Sequence, residues 1–173
     1  MNKNLSKLIA VLFLMISVNL FSQNSNQIPC ATKEYKQFDF WLGNWNVYDT
    51  KDNLIGKNRI VKMPNACAIQ ENWESKTGPS LGTSYNYYNA KNKTWNQVWI
   101  DNGGGSLVLK GNRIKNKMIL KSGLSTNKNG TFYNKVTWTK KANGNVEQVW
   151  EVVNKNHKVI NEVFRGIYKK NSN

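Results

Sequence analysis

Short runs of alternating apolar and polar residues recur about every ten residues along the chain, and this spacing constrains the fold more than any other feature. The runs are rich in Val, Ile, Thr, Trp and Tyr, and turn residues such as Asn-Gly or Gly-Pro separate them. Because successive side chains of a strand point to opposite faces, the runs predict half-buried β-strands. The predicted strands span residues 43–50, 55–63, 67–75, 80–89, 94–101, 105–110, 115–121, 131–139, 145–153 and 158–169.

Ten consecutive short strands joined by tight turns can form a sandwich or a closed barrel. Closure is favoured because it alone removes exposed edge strands. We therefore expect an all-β chain with one up-and-down antiparallel β-barrel of about ten strands over residues 38–170. A short helical turn around residues 32–40 is expected to precede it, after an N-terminal segment of residues 23–37.

Residues 1–22 have the pattern of a signal peptide. Lys3 and Lys7 precede an apolar run from Leu8 to Leu20, which is too short to cross a hydrocarbon core about 30 Å thick. This pattern predicts an exported protein, periplasmic or extracellular, with no transmembrane segment in its mature chain.

Both cysteines, Cys30 and Cys67, lie in the part of the chain that would be exported. An oxidising compartment favours a disulfide between them, although two buried free thiols are the alternative. No metal site is predicted, because one histidine and two distant cysteines do not give the spacing of zinc ligands.

The net charge of the chain is +15, and setting aside Lys3 and Lys7 leaves +13. A positive charge of this size is typical of proteins that bind nucleic acid. However, only Arg59, Arg113 and Arg165 are arginines among the 25 basic residues, and the lysines are scattered. Since arginine is the residue that reads phosphates and bases through two parallel hydrogen bonds, no nucleic-acid partner is expected.

The motif Gly43-Asn44-Trp45 enters the first strand, and Arg165 lies in the last one. In lipocalin-like proteins a Trp of the first strand packs under an Arg or Lys that follows the final strand, so the chain resembles the calycin superfamily. The resemblance implies a lipocalin-like barrel with Gly43, Trp45 and Arg165 as structural residues.

Further motifs are similar to those of a group of exported bacterial calycin-like proteins of unknown function. They are Phe38-Asp-Phe-Trp-Leu-Gly-Asn-Trp45, Glu71-Asn-Trp73, Trp95-Asn-Gln-Val-Trp-Ile-Asp101 and Gln148-Val-Trp150.

Two calycin subtypes differ in what they imply. Fatty-acid-binding proteins carry two lid helices between the first strands, and the few residues between Tyr48 and Gly56 leave no room for them. Nitrobindin-like barrels hold haem through a histidine near the C-terminus. His157 is the only histidine available and lies in a polar turn, so haem is kept as an alternative and no cofactor is predicted.

Alternation along the strands predicts which side chains point into the barrel. Glu147 and Glu151 share an outer face, which sends Gln148, Trp150 and Val152 inward. The same argument, extended by analogy to neighbouring strands, gives the candidate ligand-binding set. Its members are Glu71, Trp73, Ser84, Asn86, Tyr88, Gln97, Trp99, Asp101, Trp138, Gln148 and Trp150.

Aromatic walls with a few amides and carboxylates predict a cavity for a small hydrophobic or amphipathic molecule, with an anionic head group if lysines line its mouth. One alternative is an isomerase, cyclase or hydrolase in which Glu71 and Asp101 form a carboxylate pair for acid and base catalysis. The other is a surface interaction module whose interior is filled. The sequence gives no prediction of the oligomeric state.

Overall fold

The structure is a computed structural model that describes residues 28–171, apart from the side chain of Asn65. The predicted signal peptide lies outside the described residues. Within residues 28–171 eleven strands follow one another: β1 Gly43–Tyr48, β2 Leu54–Lys62, β3 Ala68–Ser75, β4 Leu81–Asn89, β5 Thr94–Asp101, β6 Ser106–Ile114, β7 Lys117–Lys121, β8 Ser125–Asn127, β9 Gly130–Lys140, β10 Val146–Asn154 and β11 Val159–Lys170.

Ten of these strands form a closed antiparallel barrel, as predicted. Each strand from β1 to β6 pairs with the next, β7 pairs with β9, and β9, β10 and β11 continue the sheet. Pairing of β11 with β1 closes it, while β8 pairs only with the start of β9. The predicted helical turn consists of two 3₁₀ turns, Lys33–Lys36 and Asp39–Trp41. Among the described residues, no helix is long and apolar enough to span a membrane.

Two details of the predicted strands were wrong. The sequence predicts that the sixth strand ends at residue 110, but β6 continues through Gly111 and Asn112 to Ile114. Gly111 lies against the β7 backbone, where an added Cβ would be 2.1 Å from the Ile119 carbonyl oxygen. This glycine therefore permits a close approach of two strands, one of the uses of glycine inside a strand. The short strand β8 is wholly polar and carried no apolar alternation to reveal it.

Aromatic side chains fill the end of the barrel where β1 begins. Trp41 ends the second 3₁₀ turn and Phe38 directly precedes that turn. Both side chains are fully buried, and their ring centroids are 4.9 Å apart. The Phe38 ring forms T-shaped contacts with Trp95 on β5 and Trp138 on β9, with ring centroids 5.6 Å and 5.2 Å apart. We call Phe38, Trp41, Trp95 and Trp138 the aromatic plug.

The predicted disulfide between Cys30 and Cys67 is confirmed, with Cα atoms 5.0 Å apart. It ties the N-terminal segment, which contributes Phe38 and Trp41 to the aromatic plug, to the turn that precedes β3. The bridge spans 37 residues, and a loop of that length reduces the entropy of the unfolded chain by an amount equivalent to about 4 kcal/mol.

The prediction that Arg165 packs on Trp45 was wrong. Lys170 takes that place, with Nζ 4.1 Å from the centre of the Trp45 ring and directly opposite Trp45 in the pairing of β1 with β11. Arg165 is an odd-numbered residue of β11 and points outward, where it forms ion pairs with Glu147 and Glu162. It is thus a residue of the outer wall that joins β10 to β11.

The Gly-x-Trp motif has a physical basis in this contact. Gly43 has a φ of +129°, which L side chains rarely adopt, and an added Cβ would lie 2.2 Å from Lys170 Nζ. Lys170 donates a hydrogen bond to the Leu42 carbonyl, and Trp45 Nε1 donates one to the Trp41 carbonyl at 2.8 Å. The motif therefore fixes the junction between the aromatic plug and β1.

We expect Gly43→Ala to destabilise the protein by about 1–3 kcal/mol, because alanine is strained at this φ. Urea unfolding monitored by tryptophan fluorescence measures the change. Gly78→Ala is the matched control, since an added Cβ there would meet nothing within 4 Å. Equal stability of the two variants would contradict this account of the motif.

Candidate functional site

A cavity of about 590 Å³ occupies the half of the barrel away from the aromatic plug. Its volume lies within the range of roughly 300–1,000 Å³ that ligand pockets have. Exposed residues at its rim, such as Thr77, Ser80 and Gly105, belong to the turns at the open end. The filled-interior alternative therefore describes only the half of the barrel that contains the plug.

Five aromatic side chains line the cavity: Trp73, Trp99, Trp150 and Phe164 in its walls and Tyr168 at its base. Trp73 and Phe164 meet edge to face at 5.6 Å, although β1 and β2 separate their strands. The Trp150 ring is held in place because its Nε1 donates to Asn134 Oδ1 at 2.8 Å.

Glycines on neighbouring strands make room for two of these rings. A Cβ added at Gly56 would lie 2.1 Å from Cη2 of Trp73, and one added at Gly82 would lie 2.1 Å from Cζ2 of Trp99. Each ring therefore lies directly over a glycine in the wall. A side chain at either glycine would displace the ring from its position.

Glu71 is the central polar group of the cavity and is only 4 % exposed. Its Oε1 accepts a hydrogen bond from Asn58 Nδ2 at 2.7 Å, and its Oε2 accepts one from Ser84 Oγ at 2.6 Å. Ser84 is able to do this because it lies directly opposite Glu71 in the pairing of β3 with β4. Strand register alone thus brings the two groups together.

The hydrogen bonds continue from Ser84 along β4 and onto β5. Asn86 Nδ2 donates to Ser84 Oγ at 2.9 Å, and Gln97 Nε2 donates to Asn86 Oδ1 at 2.9 Å. Asn86 and Gln97 are opposite each other in the pairing of β4 with β5. The donors in this chain all point towards Glu71.

A second arm of the network runs from Asn58 to the last strands. Asn58 Nδ2 also donates to the Tyr168 hydroxyl at 3.3 Å, and Tyr168 donates in turn to Gln148 Oε1 at 2.5 Å. Gln148 and Tyr168 both line the cavity. The network therefore joins polar groups on six strands, β2, β3, β4, β5, β10 and β11, at the base of the cavity.

Burial raises the pKa of Glu71 to about 7, although the hydrogen bonds from Ser84 and Asn58 act in the opposite direction. No lysine or arginine within residues 28–171 forms an ion pair with this carboxyl. Burial also raises the pKa of Tyr168 well above its usual value, and the nearby charge of Glu71 adds to the effect.

The structure places most of the predicted ligand-binding side chains at the cavity. Those that line it are Glu71, Trp73, Gln97, Trp99, Asp101, Gln148 and Trp150. Ser84 and Asn86 are fully buried and lie in the hydrogen-bond network behind the lining.

Trp138 and Tyr88 are not among the residues that line the cavity. Trp138 points into the barrel as expected, but at the level of the aromatic plug, where it contacts Phe38 and Trp41. Tyr88 contacts Tyr35 and Trp95 near the same end. Inward orientation was predictable from alternation, whereas the level of each side chain along the barrel axis was not.

Several cavity residues were missed in the sequence. Phe164 and Tyr168 lie on one face of β11, and alternation along that strand was the signal that could have found them. Asn58, which contacts Glu71 from behind the cavity lining, lies on β2 opposite Trp73 and was hidden in a polar stretch of that strand.

Glu71 and Asp101 both line the cavity but do not form a pair. Asp101 is opposite Gly82, which is opposite Trp73, so Asp101 lies two strands and two residues away from Glu71. Ordinary strand spacings place their Cα atoms roughly 12 Å apart. Asp101 Oδ1 instead accepts hydrogen bonds from the backbone N–H groups of Gly103 and Gly105, both at 2.8 Å.

His157 does not fit the role of an internal haem ligand. It lies in the exposed turn between β10 and β11, and its Nδ1 is 3.1 Å from the hydroxyl of Tyr133, whose side chain is on the outer face of β9. His157 is not among the residues that line the cavity. In the part of the chain that the structure describes, no three His, Cys, Asp or Glu residues are grouped so that they could hold a metal ion.

Comparison with known proteins returned no match, either to a protein-family model or to a curated protein sequence.

We expect the stability of the protein to fall as the pH rises from about 4.5 to 7, relative to Glu71→Gln. A folded-state pKa of about 7 lies above the unfolded value, so neutral Glu71 contributes stability that is fully present below the unfolded pKa. This contribution is lost as the pH rises through the folded pKa, by on the order of 3 kcal/mol in total.

Urea unfolding at several pH values measures this difference. Glu74→Gln is the control, because Glu74 lies on the same strand but is exposed and paired with Lys76. Parallel stability curves for the wild type and Glu71→Gln would contradict the assignment of the raised pKa to Glu71.

Proposed function

We propose that the protein is an exported binding protein that holds a small, ring-bearing amphipathic molecule in its barrel. The observation that carries the proposal is an open cavity of about 590 Å³ with aromatic walls above a polar base. This is the composition of small-molecule sites, in which apolar walls provide most of the contact area and a few polar groups fix the orientation.

The base of the cavity offers polar atoms to a ligand. Gln97 Oε1 and Gln148 Nε2 have no hydrogen-bond partner within residues 28–171, whereas the other atom of each amide is engaged. The bonded atom of each amide holds the side chain in place, and the other atom can form a hydrogen bond that orients a ligand. The rings of Trp73, Trp99 and Phe164 would bury the apolar part of the same molecule.

Export is supported by the sequence of residues 1–22 and by the disulfide, which is typical of oxidising compartments. Membership of the calycin superfamily is likewise a proposal. Its support is the Gly43-Asn44-Trp45 motif at the start of β1, together with Lys170 over the Trp45 ring. A closed barrel by itself does not identify that superfamily.

One observation favours an enzyme as a second candidate. A single buried carboxyl with a pKa of about 7 is suited to proton transfer near neutral pH. Asp101 would not be its partner, because the two groups are at different levels. If the protein is such an enzyme, Glu71→Gln would retain ligand binding while turnover falls by about a hundredfold or more.

We expect 2-(1-naphthyl)ethanol, a neutral ring-bearing probe, to bind the wild-type protein. Gly82→Ala should weaken this binding at least tenfold, because the new Cβ would displace the Trp99 ring into the cavity. Isothermal titration calorimetry measures the affinity, and Gly78→Ala is the control. Native mass spectrometry of freshly purified protein tests for a retained molecule.

Absence of a retained molecule, together with no binding across a panel of neutral, cationic and anionic ring compounds, would overturn the proposed function. Equal probe affinity in Gly82→Ala and Gly78→Ala would place the probe outside the cavity, which would also contradict it.

A further inference from the structure

We propose that the ligand of the cavity is an organic cation, a ring-bearing amine whose ammonium group lies against Glu71 and whose ring packs on Trp73 and Trp99. The inference rests on the proposed binding function and specifies the chemical class of the ligand.

The charge of the cavity lining is opposite to that of the rest of the protein. The chain has 25 basic and 10 acidic residues, yet the charged side chains that line the cavity are those of Glu71 and Asp101. None of the lining residues is a lysine or an arginine. A ligand in this cavity therefore meets negative groups, and the expectation of an anionic head group beside mouth lysines has no support.

The hydrogen bonds around Glu71 are arranged for a negative charge. Both carboxyl oxygens accept hydrogen bonds, from Asn58 and Ser84, and Asn86 and Gln97 extend the Ser84 arm with donors that point in the same direction. This polarity stabilises a carboxylate. A buried carboxylate is nevertheless costly without a counter-charge, and no cation of the described chain supplies one. An ammonium group in the cavity would.

The walls are also suited to a cation. Trp73, Trp99, Trp150 and Phe164 line the space above Glu71, and the faces of aromatic rings attract organic cations, tryptophan most strongly. Cages of aromatic rings are an established means of recognising quaternary ammonium ligands. A neutral ligand would use the walls but leave Glu71 without a counter-charge.

A series of three naphthalene compounds of similar size tests the proposal: 2-(1-naphthyl)ethylamine, 2-(1-naphthyl)ethanol and 1-naphthaleneacetate. At pH 8 we expect the amine to bind at least tenfold more tightly than the alcohol, and the acetate at least tenfold more weakly than the alcohol. Calorimetric titration at moderate salt measures all three. Salt screens the charge of the whole protein but acts less on a buried pair.

Glu71→Gln should remove the preference for the amine, so that the affinities of this variant for the amine and the alcohol differ by less than about threefold. Binding of the alcohol also reports that the cavity of this variant is intact. Glu74→Gln on the outer face of β3 is the matched control and should retain the full preference.

The preference should also depend on pH in the wild type. With a pKa of about 7 for Glu71, the affinity for the amine should rise about tenfold from pH 6 to pH 8, as the carboxyl loses its proton. Asn58 and Ser84, which contact Glu71, do not titrate, and the pKa of Tyr168 lies well above this range. Asp101 is the other acidic group that faces the cavity, so Glu71→Gln must abolish the pH dependence if Glu71 causes it.

Equal binding of the amine and the alcohol, or tighter binding of the acetate, would overturn the cationic-ligand inference and leave the proposed binding function standing. Retention of the amine preference in Glu71→Gln would overturn the role of Glu71. If none of the three compounds binds and no molecule is retained on purification, both the inference and the proposed function fail.

Discussion

Pairing of the first strand with the last is the interaction on which the rest of this structure depends. Four residues of β1 pair with Ile167–Lys170 of β11, and this short ladder converts an open sheet into a barrel. The contact of Lys170 with Trp45 lies at one end of the ladder, beside the aromatic plug. Closure leaves no long unpaired strand edge at the end of the barrel that holds the aromatic plug. It also brings residues from both ends of the chain to a common interior, which is how Tyr168 comes to share a network with Glu71.

The barrel interior has two halves, one filled with side chains and one that contains the cavity. At one end the aromatic plug fills the space, and the disulfide holds the N-terminal segment that carries Phe38 and Trp41 against the turn before β3. At the other end the rings of Trp73 and Trp99 lie over Gly56 and Gly82, so large side chains line the wall while space remains between them. The cavity therefore depends on glycines in the wall as much as on the aromatic residues that face it.

Glu71 lies at the boundary between these halves and links stability to function. Burial makes its ionised form costly, whereas the donors of Asn58 and Ser84 favour that form. The two effects together bring the pKa of Glu71 close to neutral pH, so that a charged ligand can change the protonation of the carboxyl. A fully apolar base would stabilise the barrel without this response, which is why the cationic-ligand inference depends on the buried carboxyl beneath the open cavity.

The sequence by itself predicted ten of the eleven strands and the inward face of those that carry Glu71, Gln97 and Gln148, because alternation and turn chemistry are local properties. It also predicted the closed barrel, since closure removes exposed edges, and the disulfide, since the first 22 residues indicate an oxidising compartment. Tertiary structure alone decided which inward residues meet. It placed Trp138 in the plug rather than the cavity, separated Asp101 from Glu71, and gave Trp45 the partner Lys170 instead of Arg165. These outcomes depend on strand register and on position along the barrel axis, which are set when distant strands pair and which no single strand encodes.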